Sequence, residues 1–105
     1  LYDKGDKAVK NVQKAIYWYD KAAKNRIINA QFMLAQLYEK QGNTQDIINA
    51  YAWYSIASKL GDKDAGVLKR KIVSKMNNQE YEKAIIVEKT IENQVKKEGT
   101  YESKY

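Results

Sequence analysis

The sequence predicts an all-α fold built from repeated helix pairs, and three observations carry that expectation. The stretch Lys14–Ala23, KAIYWYDKAA, returns thirty-five residues later as NAYAWYSIAS over Asn49–Ser58. Ala15, Trp18, Tyr19, Ala22 and Lys24 thereby recur as Ala50, Trp53, Tyr54, Ala57 and Lys59, and Ala30 recurs as Ala65. Upstream, Leu1-Tyr2-Asp3-Lys4 recurs as Leu37-Tyr38-Glu39-Lys40 at a spacing of thirty-six. A period of this length marks a repeat architecture, in which each unit is too small to bury its own apolar face and must stack on its neighbours. Apolar positions also follow helical spacing along the chain, with no strand-like alternation. Finally, there is no proline, glycine is scarce, and Ala, Leu, Ile, Lys, Glu and Gln suit helices.

Each element has its own signature. Over Val12–Lys24, Ala15, Trp18, Tyr19 and Ala22 fall at i, i+3, i+4 and i+7 and so share a helix face. Over Asn29–Lys40, Ala30, Met33, Leu34, Leu37 and Tyr38 do the same; Asn29 is placed to cap the start and Gly42 to supply the left-handed stop. Asp46–Leu60 repeats the first helix and stops at Gly61. Asp64 is placed to cap a helix carrying Ala65, Leu68 and Ile72. Asn77, with Glu80 three residues on, spells a capping box for a last helix over about Asn78–Lys97, striped by Ala84, Val87, Ile91 and Val95 and flanked by Tyr81 and Ile85. Gly99 should end it, and Thr100–Tyr105, without periodicity, reads as a loosely held tail.

Composition excludes much chemistry. The chain lacks cysteine and histidine, which removes disulfides, thiolate catalysis and cysteine-ligated metals, together with the commonest general base and metal ligand. No carboxylate pair stands out: Asp20, Glu39, Asp46 and Glu80 sit among lysines or at helix starts, where caps and surface pairs account for them. Asp62-Lys63-Asp64 reads as a turn and a cap. We therefore expect no catalytic, metal or cofactor site. The net charge of +6 could suit a polyanion, but lysines and acids are interleaved as on solvated helix faces, and Lys69-Arg70-Lys71 points in several directions. No apolar run approaches the length of a membrane span, and no secretory leader is legible.

These residues resemble the Sel-one-like repeat (SLR), a relative of the tetratricopeptide repeat. Leu1, Tyr2 and Gly5 match the end of one first half, and Lys14, Ala15, Trp18, Tyr19, Lys21, Ala22 and Ala23 its second half. In the next unit the matches are Ala30, Leu34, Leu37, Tyr38, Gly42, Asp46, Ala50, Trp53, Tyr54, Ala57 and Gly61. The stretch Arg70–Ala84 resembles the closing helix pair of bacterial members. Ala35 and Arg26 stand where the pattern has glycine, and Asn25 is expected to take the left-handed turn in place of Arg26. The organisation implied is the end of one repeat over 1–28 (tail of helix A, loop, helix B), a complete repeat over 29–63, a degenerate C-terminal helix pair over 64–98 and a tail over 99–105.

The resemblance implies a right-handed α-solenoid and a non-catalytic scaffold or adaptor, bacterial in type, that engages a protein or peptide. Some cysteine-rich relatives are associated with β-lactams; this chain lacks their cysteines. The first helices of each unit would line the concave wall. There Asn29, Met33, Gln36 and Lys40 form one stripe, with Asp64, Leu68, Lys71 and Lys75 as counterparts; of these, Asn29, Met33, Gln36, Lys40, Lys71 and Lys75 are the candidate partner-binding residues. The alternative is a basic surface for nucleic acid or another polyanion, which the charge interleaving disfavours. Trp18, Tyr19, Trp53 and Tyr54 match packing positions, whereas Tyr17 and Tyr51 are expected outside, as interface anchors. The first unit lacks most of its type A helix, so part of Trp18 or Tyr19 should be exposed. That face would suit either a longer array or a homodimer contact.

Overall fold

The computed structural model describes residues 2–97, with side chains from residue 11 onward. Five α-helices follow one another: α1 (Tyr2–Lys24), α2 (Ile28–Gln41), α3 (Thr44–Lys59), α4 (Lys63–Val73) and α5 (Asn78–Gln94). Among the described residues there is no strand. Short turns reverse the chain, so α1 packs on α2, α2 on α3, and α3 on both α4 and α5. The fold is the all-α solenoid of antiparallel helix pairs that the repeat implied.

Helix α3 is the centre of the stack. Seven consecutive residues, Tyr51–Ala57, are buried, so the helix is covered all round rather than along one stripe. Its alternation of large and small residues explains how this is achieved. Ala50, Ala52 and Ala57 admit close helix approach, while Trp53, Tyr54 and Ile56 fill the gaps between neighbours. Gly66 of α4 contributes likewise: a Cβ there would lie 3.0 Å from Ser58 Oγ.

The helix ends follow local capping chemistry. Asn43 accepts from Asp46 N at 2.9 Å and starts α3 at Thr44, two residues before the expected Asp46. Asp62, rather than Asp64, caps α4 by accepting from Ala65 N at 3.0 Å. Asn77 and Glu80 form the expected capping box. Asn29 does not cap α2: the helix begins one residue earlier, Ile27 holds the cap position, and no side chain bonds there. The cause lies in the preceding turn. Arg26 takes the left-handed conformation (φ 70) instead of Asn25. Arg26 N then donates to Ala23 O and Ile27 N to Ala22 O, at 3.0 and 3.2 Å, the paired bonds of a Schellman stop. One repeat later Gly61 (φ 116) makes the same turn, with Gly61 N to Ser58 O and Asp62 N to Ala57 O, both 3.0 Å.

Three further expectations are corrected. The loop placed between Tyr2 and Val12 is helical, and α1 runs unbroken to Lys24. A lone Gly5 costs a helix only about 1 kcal/mol, too little to break a segment otherwise made of residues a helix accepts. Tyr51 is 1 % exposed rather than a surface anchor, because α5 packs on α3 and sets Tyr81 edge-on to its ring at 5.8 Å. The stripe of α5 also turns by one residue: Glu88 is buried beside Ala84 and Val95, Val87 is only half-buried, and the helix stops at Gln94. Gly99 and the tail expected over 100–105 lie outside the described residues.

Candidate functional site

The face expected to meet a partner is built from the outward residues of α2. Met33 is half-buried, while Asn29, Gln36 and Lys40 are exposed. Met33, Gln36, Leu37, Glu39 and Lys40 border a cleft of about 470 Å³. A second cleft, about 380 Å³, lies where the α2–α3 turn meets the α4–α5 turn. Gly42, Thr44, Ile47 and Ile48 line one side of it, Lys75, Met76 and Glu80 the other. Glu39 borders both clefts, which therefore adjoin at that residue; the two together are called the groove.

Of the candidate residues, Met33, Gln36, Lys40 and Lys75 therefore come to the groove. Asn29 on α2 and Lys71 on α4 are exposed but border neither cleft, and Lys75 lies in the turn after α4, which ends at Val73 before the expected helical stripe reaches it. Sequence reasoning passed over Glu39, Ile47, Ile48, Met76 and Glu80. The signal for them was present: the α2–α3 and α4–α5 turns lie one repeat period apart, so a stacked architecture puts both at one edge.

Hydrogen bonding fixes the groove's acids. Tyr54 Oη donates to Glu39 Oε1 at 2.8 Å, reaching from the buried centre of α3 to the groove. Burial, then the bond to Glu39 and its charge, push the Tyr54 phenol well above its ordinary 10.0. Phe32 of α2 packs edge-on to Tyr54 at 5.8 Å and holds the ring in place. Glu80 Oε1 accepts from Asn77 N at 2.9 Å, at the positive end of α5. Both carboxylates thus have partners within the fold. Lys40 and Lys75 form no ion pair among the described residues.

Among the described residues no cluster of carboxylates could hold a metal ion, and no helix is long and apolar enough to cross a membrane. The Sel1 repeat model matches residues 1–26 and 28–62, more than half of the chain. The chain belongs to the Sel1 repeat family. The same comparisons found no curated protein and no solved structure that matches. Sel1 repeats are generally protein–protein interaction modules.

The Sel1 repeat register also explains the aromatic face of α1. Trp18 is 64 % and Tyr17 54 % exposed, whereas Trp53, the repeat equivalent of Trp18, is 1 % exposed. Three helices pack on α3 but chiefly one on α1. The positions equivalent to Ala52 and Ile56 are Tyr17 and Lys21. Lys21 Nζ lies 4.6 Å from the Tyr17 ring centre and 5.4 Å from that of Trp18. A close-packed helix could not seat against this face as it does against Ala52.

Proposed function

We propose that this chain is a non-catalytic scaffold module that presents a concave helical surface to a peptide or protein partner, with Met33, Gln36, Lys40 and Lys75 in the contact and Asn29 and Lys71 at its margin. The observation that carries this reading is the pair of clefts that adjoin at Glu39, each lined by apolar side chains together with polar ones. Its mechanism is display of a preformed surface: the helices that border it are already held by the packing on α3, so little ordering is needed on binding. Affinity should come from a few anchors seated in the groove rather than from the whole area.

The test is capture from lysate on the immobilised domain beside two variants, Met33→Glu in the groove and Lys89→Glu on α5, at low and moderate salt after nuclease treatment. Proteins retained by Lys89→Glu and lost by Met33→Glu support the reading. Retention by both variants removes the groove from the contact. Binding that disappears steeply with salt and depends on nucleic acid would instead favour a polyanion surface.

A further inference from the structure

We infer that the outward stripe of α4 is a stop, built to keep a second copy of the chain from stacking head-to-tail on that helix. The stop is independent of the groove and follows from comparing α4 with α2, its equivalent one repeat earlier. Ile28, Phe32, Ala35 and Glu39 of α2 stand at i, i+4, i+7 and i+11 and so share one face. Helix α3 sits on that face. Ala35 is 0 % exposed, Phe32 packs edge-on to Tyr54, Glu39 accepts from the Tyr54 hydroxyl, and Ile28 packs against the core.

Thirty-five residues on, the same stripe reads Lys63, Val67, Arg70 and Ser74. All four are exposed. Helix α5 does not cover them: it scarcely touches α4 and lies along α3 instead, through Tyr51 and Tyr81, Ser55 and Glu88, and Lys59 and Glu92. So α4 has an open seat where α2 holds α3. The complementary helix of another copy would be α1, whose Ala15, Trp18, Tyr19 and Ala22 are the repeat equivalents of the buried Ala50, Trp53, Tyr54 and Ala57. The residues in the seat refuse it. Lys63 and Arg70 replace Ile28 and Ala35, and neither forms an ion pair among the described residues. A helix seated there would bury both cations with no acid to meet them. Arg70 also removes the small side chain that lets helices approach closely, and Lys21 beside Trp18 carries the same sign of charge. Head-to-tail contacts of this kind do not close and grow into filaments, so a charged terminal face keeps the array finite.

The experiment gives α4 the face of α2. Wild type is compared with the variant Lys63→Ile, Val67→Phe, Arg70→Ala, Ser74→Glu by sedimentation velocity over a wide concentration range at near-physiological salt. The double variant Lys63→Ile, Arg70→Ala, which changes less of the surface, is run beside it. All four positions are exposed, and unchanged helical circular dichroism would show each variant folded. Wild type should form nothing larger than a dimer. Both variants should form species beyond a dimer as concentration rises, with an apparent association constant about tenfold or more above that of wild type. Adding Trp18→Glu should return them to the wild-type distribution, because the helix that fills the seat is then spoiled. Folded variants that sediment like wild type would overturn the stop, since the cations would not be what blocks stacking. Growth that ignores Trp18→Glu would overturn it as well, because the association would not be the helix pairing argued above. So would wild-type species larger than a dimer that Arg70→Glu disperses, which would make this face a contact.

Discussion

Ser55 Oγ of α3 donates a 2.7 Å hydrogen bond to Glu88 Oε2 of α5, and both residues are buried. The same carboxylate oxygen lies 2.7 Å from Lys59 Nζ, which also reaches Glu92 at 2.9 Å. A charge has thus been placed inside the contact between α3 and α5, where a Leu would pack more simply. Such a group is tolerated because its oxygen has two donors, and its directional bonds set α5 in one register on α3.

Removing Glu88 should therefore cost more than its contact area suggests. Glu88→Met takes from the buried Ser55 hydroxyl the carboxylate it donates to, which costs about 1–3 kcal/mol; Lys59, more than half exposed, can turn to water. Adding Ser55→Ala to Glu88→Met should restore part of that loss, because the hydroxyl that lost its acceptor goes with it. Urea denaturation of the two single variants and the double variant measures this. Strictly additive losses would mean that the bond has no energetic weight.

The buried phenols predict an alkaline transition. Burial first, then the charges of Asp20 and Asp46, raise Tyr38 above its ordinary 10.0; burial and partners raise Tyr51 and Tyr54 further. Lys59 is raised as well, first by its bond to Glu88 and then by that to Glu92. A raised folded-state value means that the folded chain holds its proton longer than the unfolded chain does. The stability from these groups is thus fully present below the ordinary value and drains away as pH rises through the folded-state value. Helical circular dichroism should fall cooperatively above about pH 10, with phenolate absorbance rising in the same transition. Tyr54→Phe, which deletes one such group, should move the midpoint upward. A midpoint that is unchanged or lower would count against the assignment.

Arg26 predicts a stabilising substitution. It holds the left-handed position that Gly61 occupies one repeat later, and a side chain there costs about 1–2 kcal/mol. Arg26→Gly should raise stability by about 1 kcal/mol, part of the gain being offset by the larger freedom of glycine in the unfolded chain. Gly61→Ala should lose about 1–2 kcal/mol by the same strain, since no atom lies within 4 Å of the added Cβ to clash. Thermal melts of both variants decide it: a lower melting temperature for Arg26→Gly would show that the arginine's own contacts outweigh the strain.

The sequence was most informative where chemistry is local or periodic. The Asn77–Glu80 capping box and the Gly42 and Gly61 stops could be placed because each needs only a few residues, and the burial of Trp53 and Tyr54 because they recur in register. Tyr51 was misread and Glu88 passed over for one shared reason: their burial depends on α5 packing on α3, a contact between segments about one period apart whose registers differ. A tyrosine and a glutamate on an amphipathic helix give no local sign of that. The groove was half legible. Met33, Gln36 and Lys40 follow from helical spacing; Lys75 was placed by the same spacing but lies beyond the end of α4 at Val73, and Glu39 and Met76 enter only because two turns stack. Arg26 misled because a side chain in the left-handed region runs against intrinsic preference, and the Ala22–Ile27 bonds around it impose that conformation.

The two tryptophans give the sharpest contrast, since they are the same repeat position in two environments. Trp53 is enclosed by three helices and Trp18 stands mostly in solvent beside Lys21. Trp53→Ala should cost about 3–5 kcal/mol, the range for a large aromatic removed from a core. Trp18→Ala should change stability by no more than about 0.5 kcal/mol, as at other exposed sites. Each variant retains a single indole, which allows an independent check. The Trp53→Phe protein should emit at long wavelength and be quenched readily by acrylamide, the Trp18→Phe protein at shorter wavelength and weakly. If Trp18 proves shielded at micromolar concentration and becomes quenchable on dilution, its face is covered by a second copy. Sedimentation at the same concentrations would then show a dimer that Trp18→Ala abolishes. Concentration-independent quenching with a monomeric mass would leave that face free in the isolated chain.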